Sequence, residues 1–365
     1  MIDRDPRPDG GGAYSIGDVL PPPVAMARYR PPGGRARGGH TGPVPEPLIR
    51  SRLAPASALH TGAAVVTHRA AVLGMPIEHS LSPVLHTAAY AELGLSGWVY
   101  GRYAVDEAGL PGFVADLGPE WVGLSLTMPL KRVALEVADE ATPDTAAIGA
   151  ANTLVRRGGE GRASIAGSVS DRGAEPGREP TIPRGAGWLA TNTDVVGIEQ
   201  ALRAVGVTAV ESAVVVGSGG TAQAALAALR RLGETAPTVL VRAPARAGAL
   251  RDTAERLGVA PRIVGGFPST PLPPADVVIS TVPAGAADVL ADVAWDPATV
   301  FLDVIYAPWP TAPAAAAAAA GCRVAGGLEV LLHQAVGQVE LMTGLPGPTE
   351  AMAAALAAAA GDRRP

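Results

Sequence analysis

Residues 125–132 read "SLTMPLKR": an apolar run ends in Ser125 and Thr127, a proline follows, and Lys131 stands two residues further on. The pattern predicts a strand handing over to a helix from about Pro129 to Asp139. The first turn of a helix is a poor place for a cation, because its exposed N–H groups are already positive. Either Lys131 bends away into water or the position serves chemistry. Three more polar stretches share this first half of the chain: "PIEHSLSPVLH" (76–86), "IGAANT" (148–153) and "TNTDVVG" (191–197). Taken singly, each has a plain structural role open to it. Ser80 or Ser82 can cap a following helix with Pro83 at its first position. Asn152 can hold a turn, and Asp194 can be a helix cap.

A second kind of chemistry is written in "VVVGSGGTAQAAL" (214–226). Gly217, Gly219 and Gly220 lie between a valine strand and an alanine-rich helix. Glycine permits the tight turn and lets the backbone approach a pyrophosphate, which rests against the helix N-terminus. Ala222 stands in the third glycine position and is small enough for close helix–strand packing. The end of the next strand, "VLVRAPARA" (239–247), offers Arg242 and Arg246 and no acid. A carboxylate there suits the ribose hydroxyls of NAD, whereas guanidinium groups match a 2′-phosphate by charge and by forked geometry. Two solvated arginines in a surface loop are the alternative; the expected cofactor is NADP.

These motifs need elements to position them. "AAVLG" reads as a buried strand, "SPVLHTAAYAELG" (82–94) as an amphipathic helix, "WVGLSL" (121–126) and "ANTLVRR" as strands, an α/β layer with largely parallel strands. From near Glu211 a second series runs "SAVVVG", "TAQAALAALRRLG", "PTVLVR", "ARAGALRDTAERLG", "DVVISTV" and "TVFLDVI". "GGLEVLLHQAVGQVELMTG" (326–344) then repeats apolar residues at helical spacing.

In this order the motifs resemble those of the shikimate dehydrogenase family, from about residue 70 to about residue 358, with "DVIYAPWPT" (303–311) and "GGLEVLLHQAVGQ" (326–338) completing the set. The resemblance implies two α/β domains: a substrate domain completed by C-terminal helices, and a Rossmann-type NADP domain. It implies residues 68–200 as the substrate domain, 201–324 as the NADP domain and 325–360 as the returning helices. Lys131 and Asp194 match the family's catalytic pair. Ser80, Ser82, Thr127, Asn152, Asp194, Tyr306 and Gln334 match its substrate ligands. Gly217, Ser218, Gly219, Gly220 and Thr221 match the pyrophosphate loop, and Arg242 with Arg246 the 2′-phosphate clamp. Val304 and Gly327 fall where the family's backbone approaches the nicotinamide.

The implied activity is reversible NADPH-dependent reduction of 3-dehydroshikimate to shikimate, in the synthesis of aromatic amino acids. Physical chemistry agrees with the assignment. Reducing a ring ketone needs a hydride on one face and a proton for the developing alkoxide. A lysine held by a carboxylate can bind the hydroxyl and exchange that proton. A small anionic polyol wants several short donors, which serines at a helix start supply beside a favourable dipole. The sequence departs from the family at Ser125, which replaces an asparagine and is expected to reach substrate through water. It departs also at Val241 and Ala243 beside the clamp, and at Val330, where many relatives have methionine. The alternatives are an NAD-preferring quinate/shikimate dehydrogenase, a metabolite sensor that keeps the fold without turnover, and a folate-type dehydrogenase. The arginines, the lysine–aspartate pair and the two serines, respectively, argue against them.

Bulk properties frame this reading. With 365 residues, 48% of them hydrophobic, the chain is long enough for two domains. A net charge of −5 without basic runs argues against nucleic acid as a partner. One cysteine, Cys322, excludes an internal disulfide framework and a cysteine-rich metal site, and the six histidines, His79, His86 and His333 among them, lack metal-ligand spacing. The alanine-rich stretches at 311–321 and 351–361 favour helix without the hydropathy of a membrane span. A cytoplasmic enzyme, monomer or homodimer, is expected. Residues 1–67, rich in Pro, Gly and Arg, read as a disordered arm without an export signal, for which Met26 is an alternative start. Residues 158–187 read as a flexible insertion.

Overall fold

The computed structural model describes residues 66–157, 187–269 and 271–361; nearly all of the expected arm and insertion lies outside these. The first half contains β1 (His68–Gly74), α1 (Ser82–Glu92), β2 (Trp98–Ala104), α2 (Leu110–Ala115) and β3 (Trp121–Leu126). It continues with α3 (Ala134–Val137), β4 (Glu140–Ala141), α4 (Pro143–Ile148), β5 (Thr153–Arg156), β6 (Trp188–Thr191) and α5 (Asp194–Ala204). Its six strands pair in the order β2-β1-β3-β5-β6-β4. All run parallel except β5, which is antiparallel to both neighbours, with Ser125 opposite Thr153 and Thr153 opposite Thr191. That reversal puts the start of β5 level with the ends of β3 and β6. Residues just outside three strands therefore meet at one sheet edge.

The second half runs β7 (Ala213–Val216), α6 (Gly220–Arg231), β8 (Thr238–Leu240), α7 (Gly248–Leu257), β9 (Arg262–Val264), β10 (Val277–Ser280), β11 (Val300–Asp303), α8 (Ala312–Ala319) and β12 (Arg323–Ala325). Its strands form a parallel sheet ordered β12-β11-β10-β7-β8-β9, the doubly wound Rossmann arrangement. The valine runs follow from burial on both faces. Val215, Val277 and Ile279 point into one apolar cluster, while Val214, Val216 and Val278 point into another. Between β7 and β10 the strand order reverses, and the crevice at that switch point is where such sheets take ligands.

Two C-terminal helices, α9 (Gly327–Thr343) and α10 (Thr349–Ala360), return to the first half. Leu328, Ala335 and Val339 of α9 and Met352 and Leu356 of α10 bury against Leu85 and Ala89 of α1. Helix α5 lies between the halves, in contact with α9 and α6. Its Gly197 lets α9 come close: a Cβ there would lie 2.8 Å from the Val330 carbonyl oxygen.

Several expectations need correction. The helix predicted over 129–139 shrinks to Ala134–Val137, and residues 128–133 are turns. Lys131 thus does not sit in the first turn of a long helix, and the dipole objection to it falls away. Strand β5 is antiparallel where parallel strands predominate. Four short or half-polar strands, β2, β4, β9 and β12, carry too little apolar pattern to stand out in the sequence. Pro83 is the second residue of α1, not the first.

Candidate active site

Each polar motif lies at a chain junction beside the shared edge. Lys131 follows β3, Asn152 immediately precedes β5, and Asp194 opens α5 after β6. The Lys131 carbonyl accepts from the Ala151 N–H at 2.7 Å, which ties the lysine turn to the asparagine turn. The Asn192 amide donates to the Ala150 carbonyl at 2.7 Å, and its oxygen accepts from the Asp194 N–H at 3.0 Å. The backbone under the charged pair is therefore cross-braced before any side chain meets.

Lys131 Nζ donates to Asp194 Oδ2 at 2.5 Å, with the lysine side chain 18% and the aspartate side chain 9% exposed. The other carboxylate oxygen accepts from Asn152 Nδ2 at 2.8 Å. Asn152 also reaches Gln334 Oε1 at 3.3 Å, bringing α9 into the group. Thr221, second residue of α6, is 3.5 Å from Lys131 Nζ. A Cβ on Gly220 would lie 3.5 Å from Lys131 Cδ. The glycine loop of one sheet thus abuts the ion pair of the other. A mostly buried ammonium and carboxylate, directed by an amide, can bind a polar group and pass a proton to it.

The glycine loop has the form its motif predicts. Gly217 has φ +120°, a backbone that L side chains rarely adopt, and a Cβ there would meet Thr281 Oγ1 at 2.4 Å. Gly219 caps α6 in extended conformation and faces open space, with nothing within 4 Å of a built Cβ. Arg242 follows β8 and Arg246 ends a 3-10 turn over Pro244–Arg246. Both are exposed, and among the described residues neither guanidinium has a hydrogen bond or ion pair.

Val304 follows β11 and Gly327 begins α9, and the two backbones touch. The Gly327 N–H donates to the Ile305 carbonyl at 3.2 Å, and a Cβ on Gly327 would fall 2.3 Å from the Val304 carbonyl oxygen. Gly327→Ala must push β11's exit away from α9, an overpacking cost of about 1–3 kcal/mol. The expected result is a lower thermal unfolding midpoint together with a raised KM for cofactor. Asp303 braces the same exit: its carboxylate accepts from Ile305 N–H at 3.2 Å and from Thr311 Oγ1 at 2.9 Å. Burial pushes its carboxyl above the usual range, against those hydrogen bonds.

Around α1 the fit to expectation is mixed. Ser80 Oγ accepts from the Ser82 N–H at 3.3 Å, a local turn bond at the helix start. Ser82 is buried, and its carbonyl contacts His86 Nδ1 at 3.0 Å. Burial lowers the His86 pKa to about 4, so the ring that stacks on Tyr100 is neutral near pH 7. Burial also pushes the Tyr100 hydroxyl far up, against side-chain bonds with Ser125 and Ser82. Thr127 is half-buried beside Gly74, and Tyr306 packs against the α1–α9–α10 cluster. Ser125 corrects an expectation. It does not stand ready for a water-mediated contact but is buried, its hydroxyl given to Gln338 Oε1 at 2.7 Å while accepting from Tyr100 Oη at 2.6 Å. Sequence reasoning passed over Gln338, although it lies one turn beyond Gln334 on the same face of α9. It also passed over Thr153, Asn192 and Tyr100. Among the described residues no group of His, Cys, Asp and Glu is arranged to hold a metal ion, and no helix is long and apolar enough to cross a membrane.

A Rossmann sheet whose glycine loop faces a lysine–aspartate pair on a second sheet defines a two-domain dehydrogenase of the dinucleotide-binding class. Residues 72–154 match a family profile described as the shikimate dehydrogenase substrate binding domain, and residues 327–357 one described as the shikimate 5′-dehydrogenase C-terminal domain. The chain is 33% identical over 303 residues to the NADP(+) shikimate dehydrogenase of Thermosynechococcus vestitus, covering 80% of this chain and 96% of that one. The crystal structure of Mycobacterium tuberculosis shikimate dehydrogenase is 44% identical and superposes with a TM-score of 0.65, covering 80% of this chain and 99% of that one. The Thermus thermophilus shikimate 5-dehydrogenase in complex with NADP(H) and shikimate is 29% identical with a TM-score of 0.62, covering 80% and 99%. The chain belongs to the shikimate dehydrogenase family.

Proposed function

We propose that this protein is an NADP-dependent shikimate dehydrogenase, reversibly reducing 3-dehydroshikimate to shikimate, with Lys131 and Asp194 as its acid–base pair. The observation that carries the site assignment is the 2.5 Å contact between Lys131 and Asp194, set against the first turn of the glycine-loop helix. The residues present fit NADP: Gly217 takes the positive φ of the tight turn, Gly219 faces open space at the start of α6, and two arginines without a partner among the described residues follow β8, where they would meet a 2′-phosphate. Gly217, Ser218, Gly219, Gly220 and Thr221 would hold the pyrophosphate, Arg242 and Arg246 the 2′-phosphate, and Val304 and Gly327 the nicotinamide end. When bound, the cofactor supplies or accepts the hydride at the ring carbon.

The chain's own residues do the rest. Ser80 and Ser82 hold the substrate carboxylate with hydroxyl donors at the start of α1. Thr127, Asn152, Tyr306 and Gln334 fix the ring hydroxyls and carboxylate, so that the reacting carbon presents one face to the crevice. In the direction of reduction, Lys131 Nζ gives its proton to the developing alkoxide; in oxidation it takes the hydroxyl proton back. Asp194 keeps Nζ in place through both directions. A monomer or a homodimer goes with this reading. A cytoplasmic location goes with this reading, since the cofactor is a cytoplasmic reductant.

The test follows nicotinamide absorbance with shikimate and quinate, each with NADP and with NAD. Turnover of shikimate with NADP, exceeding the other three combinations, is expected. Equal or faster turnover of quinate with NAD would assign the protein to catabolism. Binding of shikimate without turnover in any combination would make it a sensor.

A further inference from the structure

The family reading leaves unexplained a line of polar groups beneath the site, buried from Ser125 onward. Tyr100 Oη donates to Ser125 Oγ at 2.6 Å, and Ser125 Oγ donates to Gln338 Oε1 at 2.7 Å. Gln338 Nε2 donates to Thr153 Oγ1 at 2.9 Å, and Thr153 Oγ1 donates to Asn152 Oδ1 at 2.8 Å. Asn152 Nδ2 then donates to Asp194 Oδ1 at 2.8 Å. Every bond points the same way, toward the carboxylate. The line begins at the phenol of Tyr100 on β2 and ends at the carboxylate of Asp194.

The direction matters because an amide can be turned over. Asn152 can present either NH2 or oxygen to Asp194, and only the NH2 is compatible with a carboxylate. Its Oδ1 accepts from Thr153 Oγ1 and from the Thr193 N–H, each at 2.8 Å, which leaves the NH2 facing Asp194 and, at 2.9 Å, Thr193 Oγ1. The Thr153 hydroxyl has one proton, and with Gln338 donating to the other side of that oxygen the proton goes to Asn152. Gln338 in turn presents its NH2 to Thr153 and, at 3.4 Å, to the Asn152 backbone carbonyl, while its oxygen accepts from Ser125. Gln338 and Ser125 are 1% and 3% exposed, so water does not replace a missing member at low cost.

We propose that Ser125, Gln338 and Thr153 are positioning residues which set the orientation of the Asn152 amide and, through it, of the Asp194 carboxylate on which Lys131 rests. The serine in place of the family's asparagine thereby serves the catalytic pair from below and not the substrate from beside. The proposal rests on the dehydrogenase reading above for its kinetic readout and not for its structural one.

Thr153→Val keeps the shape and removes the hydroxyl, Thr153→Ser restores it, and Gln338→Leu removes the middle of the line. Shikimate oxidation with NADP is measured for each variant and for Thr153→Val/Gln338→Leu, with kcat referred to the number of NADP sites counted by titration. The expected result is a kcat about tenfold lower in Thr153→Val and in Gln338→Leu with KM for NADP unchanged, near wild-type kcat in Thr153→Ser, and a double variant no worse than the weaker single. In parallel, the Asn152 side-chain amide, assigned by its absence from the 15N–1H spectrum of Asn152→Asp, should exchange with solvent at least tenfold faster in Thr153→Val than in wild type. Unchanged kcat per site, losses that multiply in the double variant, or unchanged amide exchange would each overturn the proposal. Should wild type fail to oxidise shikimate, the dehydrogenase reading falls, and the amide exchange alone decides for or against the positioning line.

Discussion

Lys131→Ala will lose about three orders of magnitude in kcat for shikimate oxidation while binding NADP with unchanged affinity. The size follows from the work a positioned general acid–base does, typically ~10²- to 10⁴-fold. No substitute is at hand: Asp194 is already committed to Asn152 on its other oxygen, and Thr221 is a neutral hydroxyl. The cofactor affinity should survive, because the residues expected to hold the pyrophosphate are backbone groups of the glycine loop, and Lys131 Nζ approaches that loop at the Thr221 hydroxyl, 3.5 Å away. Stopped turnover with weakened NADP binding would instead make Lys131 a cofactor ligand. Methylammonium added to Lys131→Ala should restore part of the rate, since the gap left above Asp194 keeps its carboxylate. An absence of rescue together with intact rate in Lys131→Ala would remove the lysine from the chemistry altogether.

The charged pair was legible in the sequence as two motifs, and its geometry was not. "SLTMPLKR" and "TNTDVVG" place Lys131 and Asp194 63 residues apart, and nothing in either stretch says that they meet. They meet because β5 runs antiparallel between β3 and β6, and a short strand carries no mark of its direction. The second sheet was easier to read. Its valine runs, buried on both faces, separate cleanly from alanine-rich helices, and glycines fall where the loop needs them. Ser125 shows the limit most clearly. Its identity suggested a short group reaching outward to substrate, but the partner that turns it inward, Gln338, comes from a helix 213 residues later. Gln338 itself looked like an ordinary polar position of an amphipathic helix, because only the folded chain brings α9 across the end of β5.

Arg242→Ala/Arg246→Ala will raise KM for NADP by about a hundredfold and leave KM for NAD within about threefold. The two arginines are exposed and, among the described residues, tied to nothing, so removing them breaks no bond within the fold and should leave the thermal midpoint in place. In the proposed reading their energy is spent on the cofactor instead. A charge-assisted hydrogen bond contributes about 1.5–3 kcal/mol when both partners are held, and less at an exposed site where water competes. Two such groups at a 2′-phosphate therefore give about a hundredfold discrimination once solvent screening is allowed for, and nothing toward a free ribose hydroxyl. The effect should also shrink at high salt, because both groups remain within reach of counterions. Single variants separate the roles. Arg242 stands two residues beyond β8, its backbone held where the Phe267 N–H donates to the Val241 carbonyl at 3.2 Å, whereas Arg246 ends a one-turn 3-10 segment. The better-anchored group loses less entropy on binding, so Arg242→Ala should account for the larger share. Equal KM values for NADP in wild type and double variant would leave both arginines as solvated surface groups and return cofactor choice to other parts of the crevice. A reversal to NAD preference in the double variant would instead make these two side chains the whole of the discrimination.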